Sequence, residues 1–474
     1  MRPVEPRPGG LPARPRTDAA LRGFARFVLD ILFREVALVG AEHLPATGPA
    51  IVIANHTNSL IDGAILLGYL PRNPRFLAAS TVWDYKPVAP FMNASGSVKV
   101  FRQQDGRAHE GSLEDSFADA AALLADGGVL AVFPEGRTHD DPALLAFKTG
   151  TARIAQLAET RHGPLGLAIV PVGLDYEVKN RFRTRVCFTF GDPVTVAEAA
   201  RAGPGPDPEE DPGADRRGVE GGPSHGVRAL TARLRRAVGA VAPDFDDPRQ
   251  ARRLALAGEI LGRGPGDRAG VAPPFARIVT RRHAVEAALA GADAASADRL
   301  REALDAYARG LAEFGLADPD VAAPPTRAAL VQTALGALPG LPILAVALVF
   351  CLPQALLLGT VSRTKPRDRQ MTWIAFGGLV VYPLSWLAWA LGLGLATGSA
   401  LGSGWGWAAA LAVLVAAPLS ARFSLPVLDR VLWLGRAFRA WRLSRGDPAR
   451  MDALAAQRDR AVAALAALGP DRAG

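Results

Sequence analysis

"AIVIANHTNSLIDGAILLGYL", residues 50–70, passes from a short apolar run through a polar turn into a second apolar segment long enough for a helix. A run such as AIVIA (50–54) suits a buried strand. Asn58 or Ser59 can cap the helix LIDGAILLGYL that follows. The turn therefore puts His56 at the carboxyl end of a strand and beside a helix N-terminus, where open α/β sheets bind ligands. Asp62 stands six positions on, one turn into the helix. From there a carboxylate can accept from one imidazole nitrogen and leave the other to take a proton. Taken alone, the pair fits two descriptions, a general base held by its carboxylate or a turn histidine with a satisfied hydrogen bond.

The same strand and helix rhythm continues from Pro49 to Thr195. Strand-like runs are RFLAAS (75–80), SVKVF (97–101), VLAVF (129–133), LAIVPV (167–172) and RVCFTF (185–190). Helical stretches lie between them, among them LEDSFADAAALLADGG, which Ser112 and Asp115 can cap and Gly127 and Gly128 can end. The pattern predicts an α/β fold with a mixed, largely parallel sheet and flanking helices. Before it, ALRGFARFVLDILFREV spaces Leu21, Phe24, Val28, Ile31 and Leu32 as one helix, with Arg22, Arg26 and Arg34 among them; it suits a core helix or one at a bilayer surface.

Three further segments carry chemistry. VLAVFPEGRTHDDP runs from a strand into a turn in which Pro134 forces an abrupt exit and Gly136 exposes backbone amides. With Arg137 those amides can hold a phosphate, or the loop is merely polar, with Glu135 paired to an arginine. In ASGSVKVFRQQDG, Gly96 precedes a short strand ending in Arg102. In IVPVGLDY, Pro171 points to a strand near a sheet edge or bulge. His139 with Asp140 and Asp141 fits no tight ligand spacing, so no metal is expected. His109, His162 and His283 have no recognisable context.

The chain has 474 residues, enough to bury a large core without staples. Its two cysteines, Cys187 and Cys351, rule out a disulfide framework. A net charge of +8 suits an anionic partner, either nucleic acid or an anionic membrane surface. Hydrophobicity decides for the membrane and against nucleic acid, because residues 328–362 and 370–421 contain no charge at all. A straight helix over 328–362 would be roughly 50 Å long, and Pro339, Pro342 and Pro353 interrupt it, so a helical hairpin or re-entrant pair is expected. Residues 370–421 suit two spans joined at TGSALGSGWG. The basic flanks SRTKPRDRQ and Arg422, Arg430, Arg436, Arg439, Arg442 and Arg445 assign both ends to the cytoplasm. The expected organisation is a disordered, unexported tail (1–19), an α/β domain (20–200), a flexible Pro/Gly/acid-rich insertion (201–227), a helical region (228–325), a membrane region (326–425) and a basic tail with helices (426–474).

In order and spacing, NHTNSLID, GSVKVFR, FPEG and IVPV resemble the four blocks of the glycerolipid acyltransferase superfamily, which includes glycerol-3-phosphate and 1-acylglycerol-3-phosphate acyltransferases. The resemblance covers roughly residues 20–200. The commonest first block has four residues between its His and Asp, whereas this chain has five, TNSLI. That spacing, with an asparagine at the place of Asn58, is similar to the fungal and plant-type glycerol-3-phosphate/dihydroxyacetone-phosphate branch. That branch also resembles FPEGRTHDDPALLAFKTGTARIA and VPVGLDYEVKNRFRTRVCFTFGDPV, and it carries a C-terminal membrane region. Arg137 falls one place earlier than the arginine of the usual third block.

The resemblance implies a glycerol-3-phosphate acyltransferase-like domain in which His56 deprotonates a glycerol hydroxyl that attacks an acyl thioester and Asp62 steadies the imidazole. It implies no cofactor, with acyl-CoA or acyl carrier protein as co-substrate and a phosphorylated glycerol acceptor. The implied place is the cytoplasmic face of the cell membrane, in contact with phospholipids. Residues 20–200 contain no Gly-x-Ser-x-Gly elbow and Cys187 has no neighbouring histidine, so an acyl-enzyme route lacks a nucleophile in that domain. Fixed positive charge for the acceptor's phosphate would come from Arg102, then Arg137 and Lys148, each of which can equally be a solvated surface charge. Asn58, Gly96, Glu135, Gly136 and Pro171 complete the expected substrate site. KNRFRTR (179–185) suits a lipid surface, an acidic donor or a solubilised hairpin. The rival functions are acylation of another lysolipid and phospholipid binding without turnover.

Overall fold

The computed structural model describes residues 15–86, 88–102, 106, 111–196 and 225–469. Its contacts divide it into two units, Met1–Asp246 with Pro366–Thr372, and Asp247–Lys365 with Trp373–Gly474.

The first unit is built on one eight-stranded sheet in the order β1-β7-β6-β2-β5-β3-β4, with β8 pairing β6. The strands are β1 (Phe33–Val39), β2 (Ala50–Ala54), β3 (Pro74–Ala79), β4 (Val98–Val100), β5 (Val129–Val132), β6 (Ala168–Tyr176), β7 (Thr184–Phe190) and β8 (Val194–Thr195). Among the described residues only the pairings of β6 with β7 and with β8 are antiparallel. The sheet is thus mixed and largely parallel, as the sequence predicts. β2 lies between β5 and β6, and all its residues are buried, which is why AIVIA is apolar on both faces. Ile51 and Ile53 face a cluster built with α4 (Leu113–Ala125), α5 (Gly150–His162) and the helix His225–Gly239. Ser112 and Asp115 form the expected capping box on α4.

The tail expected over 1–19 ends sooner than predicted. α1 spans Pro15–Leu32, and Asp18 pairs with Arg75 at 2.8 Å; residues 1–14 lie outside the described residues. α1 takes the core role, with Leu29 and Leu32 buried. Arg22 donates to Leu70 O and Arg26 to Gly68 O, so both arginines complete the carbonyl end of α2 (Leu60–Tyr69), while Phe24 and Phe27 remain exposed. The helical spacing hides β1. The helix stops at Leu32, and Phe33–Val39 turns into a strand paired with β7, because Val36 and Leu38 serve a strand as readily as a helix. The insertion expected over 201–227 lies outside the described residues as far as 224. From His225 the chain is helical, with Val227 and Leu230 buried, so that helix belongs to the α/β unit and not to the helical region that follows.

Pro171 departs from expectation. It lies on β6, an inner strand, opposite Ile53 of β2. On its other side its carbonyl accepts from Gly191 N at 2.9 Å, in the gap between β7 and β8. A strand residue's N–H and C=O point the same way, so the donor that proline lacks would have faced that gap, where no ladder partner is lost.

The second unit is helical: Pro248–Leu261, Phe275–Ala290, Ala294–Phe314, Asp318–Ala322, Arg327–Ala337, Leu341–Arg363, Arg367–Leu401 (beyond its first turn), Ser403–Phe423, Leu425–Gly446 and Pro448–Leu468. Buried Asp318 takes Tyr307 at 3.0 Å and Arg458 at 2.7 Å, and buried Asp320 pairs with Arg436 at 3.1 Å. Among the described residues three stretches are long and apolar enough to cross a membrane: Arg327–Arg363, Arg367–Leu401 and Ser403–Phe423. The first is not the expected hairpin. Its helices are separated by a single 3-10 turn at Leu338–Gly340, and Pro353 lies inside the helix Leu341–Arg363. A proline is tolerated there because neighbouring helices can serve the groups it leaves unpaired. Beside it, Trp386 donates to Phe350 O at 3.2 Å and Gln354 bonds Ser385.

Gly173 of β6 marks how closely the chain after helix His225–Gly239 approaches the sheet. A β-carbon there would stand 1.9 Å from Val241 O, a backbone atom that cannot swing aside. Gly173→Ala is expected to destabilise the α/β unit by about 3 kcal/mol. Thermal unfolding of the purified chain checks this, and an unchanged midpoint would contradict the packing.

Candidate active site

β2 delivers the chain to the carboxyl edge of the sheet between β5 and β6, and there the polar turn begins. Asn55 continues the strand with its side chain, donating to Leu174 O at 3.1 Å and accepting from Leu174 N at 2.7 Å. The next residue is His56. Ser59, at a positive φ of 47°, turns the chain into α2 without any side-chain cap. The capping expected of Asn58 or Ser59 is not made; Asp62 braces the turn instead, its Oδ2 reaching back to accept from Thr57 N at 2.9 Å and Asn58 N at 2.7 Å.

The same oxygen lies 3.0 Å from Nδ1 of His56. An ionised carboxylate can only accept, so Nδ1 carries the proton and Nε2 holds a lone pair. Asp62 is fully buried, whereas the His56 side chain is 18% exposed. The imidazole lies flat on Phe133, with centroids 4.0 Å apart and planes within 11°. Asp62 Oδ1 accepts from the Tyr176 hydroxyl at 2.5 Å. Burial, and then the charge of Asp62, push that phenol well above its ordinary range, so it remains a donor.

A second carboxylate holds the turn from the other side. Glu135, in the loop after β5, is buried and accepts from His56 N at 2.8 Å and Leu145 N at 3.0 Å. Its other contact is His139 Nε2. The arginine partner considered for Glu135 is thus replaced by two amides and a histidine. Gly136 takes φ +71°, and Lys148 N closes the loop on Pro134 O at 2.8 Å. Arg102, beyond β4, donates to Gly136 O at 3.4 Å.

His56, Asp62, Asn58, Glu135, Gly136 and Arg102 therefore form one bonded assembly, with the Lys148 stem beside Gly136. Three other expected residues lie outside these bonds. Gly96 makes the turn before β4 at φ +65° against the Arg75 side chain, Pro171 is a sheet residue, and Arg137 is exposed. Much of KNRFRTR is engaged internally: Lys179 with Asp140 at 2.5 Å, Arg183 with Asp30 O at 2.8 Å and Arg185 with Glu177 at 2.9 Å. Sequence reasoning missed Asn55, Phe133, His139 and Tyr176 as members of the assembly. The partners of Asn55, Phe133 and Tyr176 lie on other strands and turns, where no spacing rule links them, while His139 meets Glu135 four positions back in its own loop.

Residues 35–175 match the family model described as Acyltransferase. An uncharacterized acyltransferase of Schizosaccharomyces pombe is 23% identical over 253 residues, 36% of this chain and 38% of that protein. Glycerol-3-phosphate O-acyltransferase 2 of Saccharomyces cerevisiae is 41% identical over 82 residues, 17% of this chain and 11% of that protein. The chain thus spans well under half the length of these relatives. The crystal structure of the 1-acyl-sn-glycerophosphate acyltransferase PlsC from Thermotoga maritima aligns with 47% of this chain and 78% of its own, at 20% identity and a TM-score of 0.32. Residues 35–175 are thus an Acyltransferase domain, and the matches with named glycerol-3-phosphate O-acyltransferases support the glycerolipid acyltransferase superfamily for it.

Proposed function

We propose that this acyltransferase moves a fatty acyl chain from acyl-CoA or acyl carrier protein to glycerol 3-phosphate, dihydroxyacetone phosphate or 1-acylglycerol 3-phosphate. Its catalytic domain acts at the cytoplasmic face of a membrane. The observation that carries the reading is the His56–Asp62 pair, with Nδ1 bonded to the carboxylate and Nε2 left to accept. Three apolar helices and the basic flank around Lys365 support the membrane setting.

Nε2 of His56 takes the proton from an acceptor hydroxyl as its oxygen bonds to the thioester carbonyl carbon. The imidazolium is steadied by Asp62. When the tetrahedral intermediate collapses, the C–S bond breaks, the sulfur leaves with the electron pair, and the proton on Nε2 passes to it. The products are an ester and a free thiol, with no acyl-enzyme between them. Arg102, standing at Gly136, supplies the positive charge for the acceptor's phosphate. Glu135 acts through His56 N–H and fixes the turn that carries the base.

Three substitutions test these roles on the full chain in detergent or lipid, with oleoyl-CoA as donor and free CoA followed for each acceptor. His56→Ala is expected to lower kcat on the order of a thousandfold; retained turnover would refute the base. Arg102→Ala is expected to raise the acceptor KM about tenfold with the donor KM unchanged, and an unmoved acceptor KM would remove it from the phosphate site. Glu135→Ala strands two buried amides and is expected to cost about 2–4 kcal/mol of stability as well as turnover. A weakened acceptor KM with unchanged denaturation would instead make Glu135 a substrate contact.

A further inference from the structure

We propose that Tyr176 is a positioning residue of this site, setting through its hydrogen bond how strongly Asp62 holds the His56 imidazole. The inference rests on the reading of His56 as base.

The two oxygens of Asp62 bear different loads. Oδ2 takes His56 Nδ1, Thr57 N and Asn58 N, all from the turn that the carboxylate itself organises. Oδ1 takes the Tyr176 hydroxyl, which comes from the last residue of β6, more than a hundred positions away. Tyr176 is itself fixed. It pairs with Val186 of β7, its ring packs beside Phe33 at 6.0 Å, and Leu174 just before it is pinned by Asn55. The phenol therefore sets the rotation of the carboxylate about its own axis, and with it the direction in which Oδ2 meets the imidazole. It also draws negative charge toward Oδ1, away from the oxygen that faces His56.

A phenylalanine would fill nearly the same space, so the hydroxyl's contribution is separable from packing. Without that donor the carboxylate presents more charge to the imidazole, and the protonated imidazolium persists to higher pH. The other groups around the base enter less directly. Glu135, bonded in turn to His139, meets the His56 main chain, and Arg102 stands at Gly136 O.

The test uses the full chain in lipid, with oleoyl-CoA and whichever phosphorylated acceptor turns over, and compares two variants. Tyr176→Phe is expected to lower kcat about tenfold, leave both KM values unchanged and move the acid limb of the kcat/KM profile to higher pH. A ring-fluorinated tyrosine installed at 176 keeps the shape and strengthens the donor, so it should move the limb to lower pH. It also decides the matter alone if Tyr176→Phe fails to fold. Wild-type kcat and limb in both variants, or a Tyr176→Phe loss undiminished in an Asp62→Asn background, would overturn the proposal. Turnover that survives His56→Ala would instead defeat the base reading on which it rests.

Discussion

The carboxylate of Asp62 is the point on which the site turns. It is fully buried and accepts four hydrogen bonds, from a ring nitrogen, two main-chain amides and a phenol. A buried charge is tolerable only when its lone pairs are met, and here meeting them shapes the loop. The amides of Thr57 and Asn58 can reach Oδ2 only if the chain bends sharply after His56, and Ser59 absorbs the bend in a conformation that costs a non-glycine residue energy. The imidazole, stacked on Phe133, is thus located by electrostatics along one edge and by packing on one face.

The sheet supplies the rest of the arrangement. Parallel β2 and β5 end at the same edge, so the loops carrying His56 and Glu135 meet there and Glu135 can bond across to His56 N. β6 completes the assembly because it runs past the ends of its neighbours. Its first half pairs with β2, and its second half, paired with β7, carries Leu174 and Tyr176 to the turn. Leaving the parallel pattern at β7 lets one long strand serve both as core and as wall of the site.

The parts legible in the sequence are those whose cause is local. AIVIA and VLAVF announce buried strands by being apolar throughout, and Ser112 with Asp115 announces a capped helix. His56 and Asp62 are six residues apart on a turn and a first helical turn, so their meeting follows from backbone geometry. What stays hidden depends on distant partners. β1 continues the apolar spacing of α1, and only pairing with β7 makes it a strand. Pro171 looks like an edge residue until the gap between β7 and β8 is seen. Tyr176 reads as an ordinary strand aromatic, and nothing near it in the chain foretells a bond to Asp62.

The pairing of β1 with β7 has a consequence for the nascent chain. Phe33 meets Thr184, so the first described strand must wait for roughly 150 more residues before it gains its ladder with β7. Until then β1 has no ladder partner, and an unpaired strand in a growing polypeptide invites off-pathway association. The long apolar helices come later still, so all the described strands are made before the first of those helices.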